Sequence, residues 1–126
     1  MSMDQVQMQL VQAAADRLRR KEAKHQEKLR MRREAAQALA RTVAIQLGKR
    51  DDRISRVIGF GSTFELWRNY RLDSDIDLAI IGGDWYEATR DLPVSDIEIS
   101  IIELSTQTES FRQDVLEYGV VLYEKQ

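Results

Sequence analysis

From Ser2 to Leu47 the chain contains neither glycine nor proline, and this run constrains the fold more than any other feature. Ala, Gln, Leu, Glu, Lys and Arg dominate it, residues that lose little on entering a helix. One long helix is predicted. Ser2 and Gln5 have the spacing of a capping box at its start, and Gly48, directly after Leu47, is the expected left-handed stop, with Lys49 and Arg50 beside the negative helix end. At ~1.5 Å per residue such a helix approaches ~70 Å, more than the body of a small domain, so it must protrude or find a partner. Ala36, Leu39, Ala40, Val43 and Leu47 follow the three-and-four spacing of a buried face, as do Val6, Leu10, Val11, Ala14 and Leu18. Between them a heptad puts Glu22, His25 and Arg32 on core-type positions, which excludes a long self-sufficient coiled coil. Residues 35–47 are therefore expected to dock on the following domain, and the earlier part to bridge solvent or bind a partner. His25 reads as an exposed helix residue.

The 126 residues, 43% hydrophobic and 32% charged, suit one small domain with an appended arm. The expected division is a helical arm over residues 1–50 and a core over 51–126. Cysteine is absent, which removes thiol nucleophiles, disulfides and Cys-ligated metals. With His25 the only histidine, multi-His metal centres are excluded as well. Carboxylates must carry any chemistry. The longest apolar run, Leu78–Ile81, falls far short of the ~20 residues of a membrane span, and the polar start is no signal peptide. A cytoplasmic protein without a membrane partner is expected. Residues 1–50 hold twelve Lys and Arg against five Asp and Glu, a net of +7; residues 51–126 hold seven against sixteen, a net of −9. Such a basic arm can reach an anionic partner, either nucleic acid or the acidic half of another copy, although it carries no aromatics for base stacking.

After Asp51 and Asp52 the period changes. Residues 54–60 read as a strand, 62–70 as a short helix capped by Ser62, and 75–81 as the clearest strand, stopped by Gly82 and Gly83. A short helix over 85–89, a third strand over 96–104, a helix over 108–118 with Phe111, Val115 and Leu116 inward, and a last strand over 120–123 complete the pattern.

In an extended strand Asp75 and Asp77 project together while Ile76, Leu78 and Ile80 enter the opposite layer. Two such carboxylates can share divalent cations, and Mg²⁺ takes hard oxygen ligands of this kind. On the third strand Asp96, Glu98 and Ser100 share a face, so a third carboxylate could look toward the first two. Upstream, Gly59, Phe60, Gly61 and Ser62 make a strand-end glycine turn in which Gly61 lets a phosphate approach and the Ser62 hydroxyl can bond to it.

In this order, Gly61 and Ser62, a short helix, the run Ser74, Asp75, Ile76, Asp77, Leu78, and a closing Tyr118–Glu124 segment resemble the minimal nucleotidyltransferases of the DNA polymerase β superfamily. The resemblance covers about residues 54–124. It implies an α/β (α+β) nucleotidyltransferase fold, a small mixed sheet flanked by helices, here with the long N-terminal helix added. It further implies that Gly61 and Ser62 bind a nucleoside triphosphate, with ATP expected, and that Asp75 and Asp77 hold two Mg²⁺. The implied reaction moves a nucleoside monophosphate to a hydroxyl acceptor on a protein or another molecule. Such members often act as antitoxins of HEPN-type helical toxins, so a helical partner is expected, with self-assembly through the N-terminal helix as the other route. Twelve residues separate Ser62 from Asp75, where the family usually has ten. The family's third carboxylate falls on Ser100; Glu98 is the nearest substitute and is taken as third metal and catalytic ligand, with a strand slip around Pro93–Ser95 expected to bring it close. A catalytically weak binding module of the same fold is the alternative.

Overall fold

The computed structural model describes residues 3–126, so the Ser2 half of the expected capping box lies outside the described residues. Helix α1 runs Met3–Arg50, followed by strands β1 (Arg56–Phe60) and β2 (Ile76–Ile81), helix α2 (Trp85–Arg90), β3 (Ile99–Glu103), α3 (Glu109–Tyr118) and β4 (Val120–Glu124). Contacts divide the chain into one unit ending at Arg32 and another over Arg33–Gln126. In the first unit Val6, Met8, Leu10, Val11 and Leu18 are exposed, as is His25. Its surface carries pairs one helical turn apart: Gln12 donates to Asp16 at 3.1 Å, Arg19 pairs with the same carboxylate, and Arg30 pairs with Glu27. No helix among the described residues is long and apolar enough to cross a membrane.

The second unit is built on a mixed four-stranded sheet of order β3-β2-β1-β4, with β1 antiparallel to β2 and β4 and with β2 parallel to β3. Period-two alternation in β2 sends Ile76, Leu78 and Ile80, all fully buried, into one layer. There they meet Ala36, Ala40, Val43, Ala44 and Leu47 of α1, with Val57, Phe64, Ala88, Ile97 and Ile101. The predicted docking face of residues 35–47 is thus in place. With α2 only six residues long and contributing Ala88 alone, α1 supplies most of the helical side chains buried in this layer. On the other face Ile58, Ala79, Leu104 and Val115 form a smaller cluster, with Phe60, Ile81 and Ile102 at its margin.

Several expectations are corrected. Gly48 is not a stop: α1 continues to Arg50. A Cβ at Gly48 would collide with the Tyr123 ring, whose hydroxyl donates to the Gly48 carbonyl at 3.4 Å, so this glycine serves close approach instead of a left-handed turn. The helix closes where the Asp51 N–H reaches the Leu47 carbonyl at 3.1 Å. Leu116 is not inward but about half exposed, because it follows buried Val115 by ~100° around α3, and Phe111 is exposed as well, standing edge-on to Phe60 at 5.7 Å. The third strand begins at Ile99, three residues later than predicted. The largest difference lies at residues 62–70, which form turns and no helix.

Candidate functional site

The β1 end, the turn after it and the start of β2 come together. Phe60 pairs with Asp77 across the antiparallel ladder, which places Gly61 beside the Asp77 side chain. Gly61 has φ +73°, and a Cβ built there would lie 2.5 Å from Asp77 Oδ2. Both the left-handed backbone and the close carboxylate therefore demand glycine. Asp75 sits just before β2, half-buried, and its carbonyl accepts from the Thr63 hydroxyl at 2.8 Å, fastening the turn to the strand.

The predicted helix after Ser62 is missing because its carbonyls are taken by α1. Arg33 donates to the carbonyl of Ser62 (2.9 Å from Nε) and, through Nη2, to those of Glu65 (3.2 Å) and Arg68 (3.3 Å). Gln37 donates to the Thr63 carbonyl at 2.9 Å. Those acceptors would otherwise serve the intrahelical ladder. What remains is one tight turn, with the N–H groups of Phe64 and Glu65 both reaching the Gly61 carbonyl at 3.1 and 2.8 Å. The anion-binding expectation thus rests on a glycine turn without a helix behind it. Arg33→Ala should release three carbonyls at once and destabilise the protein by about 1–3 kcal/mol. Urea unfolding checks the magnitude, and faster exchange of the Gly61–Glu65 amides checks that the loss is local.

Sequence reasoning missed Glu65. This side chain is 6% exposed; its Oε2 accepts from the Gly61 N–H at 2.5 Å and its Oε1 pairs with Arg68 Nε at 3.2 Å. The available signal was a carboxylate four residues after Gly61, within one turn of the strand-end glycine. Burial, then Asp75, then Glu65 push the Asp77 carboxyl up to about 6.

On the far side of Asp77 the parallel β2/β3 register is unbroken, from Ile76 opposite Ile99 to Ile80 opposite Glu103. The slip expected near Pro93–Ser95 is absent, since those residues lie outside the sheet, and Ser100 is the residue paired with Asp77. Glu98 precedes β3, is exposed, and its carbonyl accepts from the Ile76 N–H at 2.8 Å, so its backbone lies two residues before the Asp77 level. Among the described residues no three acidic or His side chains converge into a metal cluster. Asp77, whose ionisation is opposed by burial and by the neighbouring Asp75, forms with Asp75 a pair of hard oxygen donors suited to a divalent ion.

No family profile and no curated protein matches the chain. Solved structures do. A toxin-antitoxin complex containing AMP-PNP is similar at 21% identity and a TM-score of 0.54, covering 68% of this chain and 74% of that one. A variant of the MntA-HpeT toxin-antitoxin pair with two Asp-to-Glu substitutions is similar at 20% identity and a TM-score of 0.53, with the same coverage. The mixed sheet, its flanking helices and these likenesses give the chain a nucleotidyltransferase-like α/β fold.

Proposed function

We propose that this chain binds a nucleoside triphosphate, ATP first among them, and works as the antitoxin-type member of a protein pair, transferring nucleotide slowly or not at all. The reading is carried by one observation: the unbroken β2/β3 register sets Ser100, a hydroxyl, beside Asp77. Asp75 and Asp77 would hold Mg²⁺, one ion or a pair, which would offset the charge of the triphosphate. Phosphate oxygens would meet the backbone of the Gly61 turn, where the half-buried Ser62 offers its hydroxyl. The likeness to an AMP-PNP-containing toxin-antitoxin structure supports both the nucleotide and a protein partner. A helical, HEPN-type partner suits the exposed Val6, Leu10, Val11 and Leu18 of α1.

A second reading, an efficient nucleotidyltransferase acting on a hydroxyl of a protein or other acceptor, is favoured by the Ile76–Glu98 backbone bond, which holds Glu98 at the Asp75 end of the sheet. There Glu98 would be the third metal and catalytic ligand. Incubation with labelled ATP, Mg²⁺ and the co-expressed partner separates the two. The binding reading expects saturable nucleotide binding with little pyrophosphate release, and at least about a tenfold rise in release for Ser100→Asp, which restores a carboxylate beside Asp77. Rapid transfer by the unaltered chain that Glu98→Gln removes would instead establish the second reading.

A further inference from the structure

The backbone N–H of Gly61, the turn residue packed against the Asp77 carboxylate, already has an occupant. Gly61 N–H donates to Glu65 Oε2 at 2.5 Å, and Glu65 is almost wholly buried. A carboxylate and a phosphate present the same thing to a backbone N–H, an anionic oxygen acceptor, so the two compete for one donor. The turn cannot relax to accommodate both, because Arg33 and Gln37 hold its carbonyls from one side and Thr63 ties it to Asp75 from the other. The other oxygen of Glu65 is paired with Arg68, whose side chain is about half exposed and can carry the carboxylate outward.

We infer that Glu65 is a built-in gate on the triphosphate position: its carboxylate takes the place of a phosphate oxygen on Gly61, and a nucleotide binds only when Glu65 has left that N–H. This inference rests on the nucleotide reading of the site and adds to it what regulates entry. Occupied by its own acid, the turn discriminates against weak anions such as inorganic phosphate. A polyphosphate bearing several charges gains enough contacts to displace it. With Arg68 still paired, the displaced carboxylate keeps a cation partner outside the turn. Glu65 is therefore a positioning and selecting residue, not one that touches reacting atoms.

The test titrates inorganic triphosphate, without metal, into the full-length chain and its Glu65→Gln and Glu65→Ala variants by calorimetry. Gln removes the charge but can still accept from Gly61; Ala removes both. Affinity should rise in that order, by about tenfold for Glu65→Gln and up to about a hundredfold for Glu65→Ala. Exchange of the Gly61 amide should quicken in Glu65→Ala and slow again when triphosphate is added. Unchanged or weaker triphosphate binding in a folded Glu65→Gln would overturn the inference, as would a total lack of binding in all three proteins. The underlying site reading stands or falls separately, on whether Asp77→Asn abolishes Mg²⁺-dependent ATP binding. If Asp77→Asn abolishes it while both Glu65 variants are neutral, the gate alone is wrong.

Discussion

Asp77→Asn is expected to abolish Mg²⁺-dependent nucleotide binding and, in the same molecule, to make the ligand-free protein more stable at neutral pH. The first effect follows from the loss of one of two hard anionic donors; Asp75→Asn should do the same, each lowering affinity for Mg²⁺-ATP on the order of a hundredfold. The second follows from the environment of Asp77. Burial and the neighbouring Asp75 and Glu65 raise its pKa from 3.8 to about 6. An acid whose folded pKa lies above its unfolded one stabilises the native state fully below the unfolded value, and that contribution is lost as pH rises through the folded value. The ligand-free protein should therefore lose stability between about pH 4 and pH 6 and remain at the lower level at pH 7.5. Asn carries no charge, so Asp77→Asn should flatten this dependence and gain roughly 1–2 kcal/mol at pH 7.5, with solvent screening of a half-buried group already allowed for. Chemical denaturation at pH 4, 6 and 7.5 in the presence of a chelator measures the stability effect, and calorimetry with Mg²⁺-ATP measures the binding. Loss of binding together with gain of stability is the signature of a functional carboxylate held against its own electrostatics. A structural aspartate would lose both.

Leu78→Ala is the second large effect, on stability. Leu78 is fully exposed to the core and not at all to water, packed in the cluster that joins β2 to Ala40, Val43 and Leu47 of α1. Truncation leaves a cavity between a sheet and a helix that cannot collapse together without disturbing the Gly48–Tyr123 contact, so a loss of about 2–5 kcal/mol is expected. That is a large share of the stability of a domain this size. Leu18→Ala provides the contrast: Leu18 is 66% exposed, and its truncation should change stability by less than about 0.5 kcal/mol. Urea midpoints of the two variants test where the folding core begins along α1.

Much of this was legible from the chain alone, for identifiable physical reasons. Period-two alternation in residues 76–81 and three-and-four spacing in residues 36–47 report burial directly, and both faces were found where expected. Asp75 and Asp77 follow from the same alternation, and Gly61 from its place at a strand end. The sequence failed where distant residues decide local structure. Residues 62–70 carry helix-compatible side chains, yet Arg33 and Gln37, about 26 to 35 positions upstream of their partners, claim the carbonyls a helix would use. Gly48 looked like a stop because the ring that needs its missing side chain belongs to Tyr123. Register between β2 and β3 is likewise a tertiary property: no local signal says that Ser100, and not Glu98, stands opposite Asp77.

Whether a nucleoside triphosphate binds where the Gly61 turn meets Asp75 and Asp77 is decided by a crystal structure of the chain with Mg²⁺ and AMP-PNP. Triphosphate density is expected against Gly61 and Ser62, with a cation bound by Asp75 and Asp77 and the Glu65 carboxylate moved off the Gly61 N–H. Nucleotide bound elsewhere on the chain, or an empty turn with Glu65 still in place at saturating ligand, would contradict it.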